Sequence, residues 1–184
     1  MRNLFDRVRP RDGERSSPMP GDDVLPRAEV VMDRAFTVPG TPAEVWPWIA
    51  QLGKGRGRWY LPARVERLLP RSGRGLRHLD PRWQDLHPGD VVPDYGRDAT
   101  FVVDRVEPPR TLVYYSKRGR LQFTWAIALA DDGPGFTRVR LRLRVAGVKH
   151  PWLADTAGGF FDLVTIAGMA AGLEERLEAT RGPA

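Results

Sequence analysis

The chain has 184 residues, 41% of them hydrophobic and 28% charged, which fits a soluble globular unit with a sizeable core. It has no cysteine, which excludes a disulfide framework, a thiol nucleophile and a Cys-ligated zinc site. The formal charge is +6, and lysine stands only at 54, 117 and 149, so arginine supplies 26 of the 29 basic residues, a bias that GC-rich coding alone produces. No apolar run suits a signal peptide or a membrane span, which makes the cytoplasm the expected location.

Residues 1–28 hold Pro10, Pro18, Pro20 and Pro26, mixed charges and few large apolar side chains. They are expected to form a flexible leader that is dispensable for stability, because so little apolar surface does not offset the entropy of ordering a chain. A single domain is expected over 29–180. Val30, Met32, Phe36 and Val38 alternate with Val31, Asp33 and Thr37, the pattern of a first strand. Arg34 falls on the apolar face of that strand, where it needs a carboxylate partner or a place at the sheet's end. Thr41-Pro42-Ala43-Glu44 opens a helix, with a capping threonine, proline in the first turn and a glutamate able to reach back. Val45, Trp46, Ile49 and Leu52 form its apolar face, Pro47 is expected to kink it, and Gly53 ends it.

Gly53-Lys54-Gly55-Arg56-Gly57-Arg58 follows a helix and lacks the Lys-Ser/Thr pair of a phosphate loop, so it reads as a flexible basic loop. A short helix is expected over 61–69, then a long loop over 70–89 that carries Trp83, His78 and His87. From Gly53 to Trp83, nine Lys/Arg face only Glu66 and Asp80, a local balance of +7. Strands are expected at 91–92, 99–106, 111–117, 121–130 and 136–146. Leu121, Phe123, Trp125, Ile127 and Leu129 share one face, so Trp125 is expected to point inward. Val139, Leu141, Leu143 and Val145 alternate with Arg138, Arg140, Arg142 and Arg144, as in an antiparallel meander with one buried and one wet face. The arginine stripe is expected to be solvated, with Asp104 and Glu107 as available partners, and a nucleic-acid role for it is not expected. The last helix starts at a cap on Asp155 or Thr156 and runs to Thr180, apolar nearly all round in its first half and Glu/Arg-rich in its last turns. Something must wrap such a helix.

The order of strand, two short helices, meander and long C-terminal helix resembles the helix-grip fold of the SRPBCC superfamily, the START, pollen-allergen-like and polyketide cyclase/dehydrase group. The stretches RAFTVPGTPAEVWPWIAQLGKGRGRWY, WQDLHPGDVV, FTWAIAL and TRVRLRLRV carry the local likeness. The resemblance implies an α+β fold in which a curved antiparallel sheet of about six or seven strands wraps the long C-terminal helix and encloses a cavity against it. It implies a hydrophobic small molecule as ligand (a lipid, polyketide or aromatic), and neither cofactor nor metal. A cyclase/dehydrase-type enzyme is the second reading. The third is an interaction protein that docks an anionic membrane or partner through its basic region. Nothing in the sequence fixes an oligomeric state.

The candidate lining residues are Trp59, Tyr60, Trp83, Tyr95, Tyr114, Phe123, Trp125, Phe161, Asp162 and Met169. Lys54, Arg56, Arg58 and Arg74 would form a basic rim that attracts an anionic group. Asp162 is either a cavity carboxylate with a raised pKa or a first-turn carboxylate facing water. With Tyr114 and His78 it makes up the acid/base candidates. The three histidines lack metal-ligand spacing, and no serine has a nucleophile-elbow context.

Overall fold

A computed structural model describes residues 6–94, 98–149 and 159–181, the Phe160 side chain excepted. Its strands are β1 (Val30–Pro39), β2 (Val91–Pro93), β3 (Thr100–Glu107), β4 (Thr111–Arg118), β5 (Leu121–Asp131) and β6 (Phe136–Ala146). They pair into a six-stranded antiparallel sheet in the order β1-β6-β5-β4-β3-β2, so every connection but β1 to β2 is a simple hairpin. The period-two pattern fixes the faces. One rung of the inner face runs Met32–Leu143–Trp125–Tyr114 across four strands, and the next runs Arg34–Leu141–Ile127–Leu112.

The helices are α1 (Pro42–Ala50), α2 (Ala63–Glu66) and α3 (Gly159–Arg181). The capping box on α1 forms as its residues imply: Thr41 Oγ1 accepts from the Glu44 N–H, and Glu44 Oε2 accepts from the Thr41 N–H at 2.7 Å. The second helix is a single turn rather than the span 61–69. Across the inner face, α3 buries Ile166, Ala167, Met169, Leu173 and Leu177 against Phe36, Leu112, Ile127, Leu129, Val139 and Leu141. Gly168 and Gly172 permit this seating. A Cβ on Gly172 would lie 2.6 Å from the Leu61 backbone nitrogen, so the chain entering α2 runs directly against the helix backbone.

Burial along α3 departs from its hydrophobicity at three positions. Phe161 and Val164 in the apolar half are exposed, whereas Arg176 in the charged half is 1% exposed. Its guanidinium pairs with buried Glu66 at 2.7 Å, donates to the carbonyls of Leu61, Leu76 and Gly172, and lies over the Tyr60 ring. A buried charge persists only when its donors are satisfied in this way.

The outer face corrects two expectations. Residues 6–28 are not a free leader; they cross the outer face as a strap. Val8 joins the main core, Met19 packs on Val113 and Ala126, and Leu25 is buried. Nor is the arginine stripe solvated. Arg138 pairs with Glu14 at 2.7 Å, Arg142 with Asp22 and Asp33 at 2.8 and 2.7 Å, and Arg144 with Asp22 at 3.2 Å. Backbone carbonyls of Glu14, Arg15, Ser17, Leu25 and Pro26 take further guanidinium donors. The partners come from the strap and β1 rather than from Asp104 and Glu107.

Candidate ligand-binding site

Tyr114 and Trp125 are cross-strand partners on β4 and β5, and their rings stack with centroids 5.8 Å apart. Trp59 reaches Trp125 from the loop after α1, at 5.7 Å, and its indole N–H donates to the Thr165 carbonyl of α3 at 3.0 Å. Phe101 on β3 closes the group, 5.8 Å from Tyr114 and 6.4 Å from Trp125. Tyr114 is buried, but Trp59, Phe101 and Trp125 are only half-buried. The result is an aromatic wall between sheet and helix, three of whose four side chains keep part of their surface uncovered.

Two polar sites border this interior. At the first, the Tyr114 hydroxyl is buried and has no hydrogen-bond partner, and the same holds for Arg56 Nε. Arg56 Nη2 donates to the carbonyls of Ala50 and Trp83, both at 3.0 Å, and its guanidinium lies 4.9 Å from the Trp83 ring centre. Burial pushes the Tyr114 phenol upward against the pull of the Arg56 charge, so it stays protonated. At the second, Arg34 Nε lies 3.0 Å from Asp162 Oδ2, an ion-pair distance without the alignment of a hydrogen bond. Arg34 also donates to the carbonyls of Asp33 and Gly159. Burial raises the Asp162 carboxyl to about 6, with Arg34 opposing. A surface cavity of about 340 Å³ beside this pair is lined in part by Met32, Arg34, Gly159 and Leu163.

Of the expected lining residues, Trp59, Tyr114 and Trp125 come together. Phe123 sits one inner position along β5, in a smaller cluster with Val30, Met32 and Val145. Tyr60 is wholly buried with its hydroxyl donating to the Trp48 carbonyl at 2.8 Å, and Met169 is wholly buried in the core, so neither borders open space. Trp83 is held between Arg56 and Arg82 on the loop side. Phe161 is 71% exposed, because it lies roughly 200° around the helix from inward-facing Leu163. Tyr95 lies outside the described residues. His78 is exposed on its loop, and the charge acting on Asp162 comes from Arg34 while that acting on Tyr114 comes from Arg56, so the three acid/base candidates do not converge.

The four basic residues do not form a rim either. Arg56 turns inward, Arg74 folds back onto the carbonyls of Leu69 and Arg67, and Lys54 and Arg58 remain on the loop. Part of the local positive charge is matched, since Arg77 pairs with Glu66 and Glu175, and Arg82 with Asp80, while Arg64, Arg67 and Arg71 are exposed. A cation that sequence reasoning passed over, Arg118, stands near the wall. Its guanidinium lies 5.0 Å from the Phe101 ring centre and 4.9 Å from that of Phe123, and it pairs with Asp94. The β4 segment TLVYYSKR lacks clean alternation, but counting in twos from Tyr114 puts Arg118 on the inner face.

No protein-family model matches the chain, and no curated protein is a significant match. Among the described residues, no helix is long and apolar enough to cross a membrane. Similar solved structures include a protein of Rhodobacter sphaeroides, 17% identical over 84% of this chain and 95% of that one, with a TM-score of 0.53. A protein of Mesorhizobium loti is 17% identical over 82% of this chain and 98% of that one, with a TM-score of 0.52. Norcoclaurine synthase from Thalictrum, solved as a point mutant with a transition-state analogue, is 10% identical over 83% of this chain and 96% of that one, also at 0.52. At these identities the likeness is one of fold, and together with the element order it gives the chain a helix-grip fold.

Proposed function

We propose that the chain binds an apolar small molecule of aromatic size between the sheet and α3. The observation that carries this reading is the half-buried wall of Trp59, Phe101 and Trp125 beside buried Tyr114. Flat aromatic faces left partly uncovered at an interior position are what a hydrophobic ligand covers. Binding rather than catalysis is favoured because Asp162, Tyr114 and His78 do not face one another, and acid/base chemistry requires both groups within reach of one substrate. Docking through the arginine stripe is disfavoured because the stripe lies under the strap.

The test is Trp125→Ala, read with native mass spectrometry for a co-purified ligand and with titration of the neutral fluorophore N-phenylnaphthylamine. Because Trp125 is half-buried, its truncation should cost less than the ~3–5 kcal/mol of a fully buried aromatic. Affinity for the fluorophore should fall about tenfold, as expected for losing an aromatic stacking partner with its buried area. Unchanged affinity would show that the wall is not the binding surface.

A further inference from the structure

Buried polar atoms without a hydrogen bond are rare enough that each calls for a physical account. Four occur on side chains of the described residues: Arg34 Nε, Asp162 Oδ2, Arg56 Nε and the Tyr114 hydroxyl. The first two lie 3.0 Å apart and offset one another's charge. The other two have no such compensation. Arg56 spends its hydrogen bonds on two backbone carbonyls and pairs with no carboxylate among the described residues. Tyr114 is 2% exposed, and its hydroxyl meets no acceptor. An arginine nitrogen only donates, and a protonated phenol donates as well. The two groups are electrostatic neighbours: burial raises the phenol, and the Arg56 charge pulls against that rise. Tyr114 is part of the aromatic wall; Arg56, fixed by the carbonyls of Ala50 and Trp83, meets Gly53 beside Val92, the cross-strand partner of the wall's Phe101.

We propose that Arg56 Nε and the Tyr114 hydroxyl form a preorganised subsite for an oxyanion, a carboxylate or phenolate carried on an apolar aromatic ligand. The inference rests on the ligand-binding reading above and adds the polar group by which the ligand is recognised. Neither donor serves the fold where it stands. Phenylalanine at 114 would fill the same space without burying an unmatched hydroxyl, and the arginine at 56 brings inward a charge that Asp90 acts on only from beyond ion-pair distance. A ligand oxyanion supplies the missing acceptor and a negative charge at contact distance together. Exclusion of water from the site strengthens both bonds. The guanidinium is held by two carbonyls and the Trp83 face, so little ordering remains to be done on binding.

The experiment compares two fluorophores with the same aromatic body, anilinonaphthalene sulfonate and neutral N-phenylnaphthylamine, on the full chain and on Tyr114→Phe and Arg56→Gln. The wild-type protein should prefer the sulfonate. Tyr114→Phe should weaken the sulfonate about tenfold, the usual scale for losing a hydrogen bond to a charged group, and leave the neutral probe unchanged. The same variant without ligand should melt no lower than wild type, since it loses only an unpartnered hydroxyl. Arg56→Gln should weaken the sulfonate further; if it fails to fold, Tyr114→Phe decides the matter. Equal effects on both probes, or none on either, would overturn the subsite while leaving the hydrophobic site intact. A wild-type protein that binds neither probe would overturn the ligand-binding reading, and the subsite with it.

Discussion

Arg142 on β6 and Asp22 on the N-terminal strap meet at 2.8 Å, with Arg142 only 4% exposed. The contact is one link in a continuous seam, with Arg138 on Glu14, Arg144 on Asp22, Arg11 on Asp132 and Arg105 on Asp23. Surface ion pairs are individually weak, but Arg138 and Arg142 are buried, and stripping away their partners leaves charges without water or counter-ion.

Removal of residues 1–28 should therefore destabilise the protein. The loss of partners for buried arginines, on the order of 3–5 kcal/mol, corresponds to a fall of about 10 °C or more in Tm for a chain of this size. A truncated protein that melts with the full chain would mean that the strap is not held as described. Acid should release the strap too. Arg138 lowers the Glu14 carboxyl, and Arg11 holds the Asp132 carboxyl near about 2. Such depressed groups stabilise the fold above their ordinary pKa and cease to do so as pH falls through the lowered values. Protection of residues 6–28 against hydrogen exchange, taken relative to the intrinsic rate at each pH, should fall between pH about 4.5 and about 2, and high salt should have a milder effect of the same sign.

The strap was hidden in the sequence for a physical reason. A strand with arginine at every second position reads the same whether its polar face meets water or a polar segment that supplies carboxylates and carbonyls. The strap's apolar anchors, Val8, Met19 and Leu25, are too sparse to show a period. What was legible followed from local rules. The alternation on β5 and β6 gave the facing of Trp125, the Thr41–Glu44 box gave the start of α1, and Arg34 on an apolar face called for the carboxylate it finds in Asp162. The site was half legible. Aromatic content pointed to Trp59, Tyr114 and Trp125, but composition says nothing about direction. Arg56 turned inward, Phe161 turned outward, and Arg176 took the most buried place on a turn that looked solvent-facing.

The glycines of α3 offer a test of sign. Glycine to alanine in a helix ordinarily stabilises by about 0.5–1 kcal/mol, through the entropy of the unfolded chain. At Gly172 the new methyl would meet the Leu61 backbone at 2.6 Å, and at Gly168 it would meet Leu61 Cδ2 at 2.7 Å. Backbone does not rotate away, whereas a leucine terminus does. Gly172→Ala should thus destabilise by at least the ~1–3 kcal/mol of an overpacked contact, and Gly168→Ala by less. Chemical denaturation measures both. A stabilised Gly172→Ala would show that α3 is not pressed against the segment before α2.

Asp162 sets a pH dependence opposite to that of the strap. Burial raises its carboxyl from 3.8 to about 6, and Arg34 only partly counters the shift. In the interval between those values the folded protein holds a proton that the unfolded chain has released. Stability from this group therefore falls as pH rises from about 4 to about 6 and is level above that. The shift corresponds to at most roughly 3 kcal/mol. Asp162→Asn mimics the protonated form and leaves Arg34 its bonds to the carbonyls of Asp33 and Gly159. The variant should match wild type near pH about 4, exceed it near pH about 7, and lose the slope between. The carboxyl resonance of Asp162 should titrate near pH about 6 in the wild-type protein and higher in Arg34→Leu, where the opposing charge is gone. If the Asn variant ran parallel to wild type across this range, Asp162 would be an ordinary first-turn carboxylate in water. Its contact with Arg34 would then add little to the seating of α3 on β1.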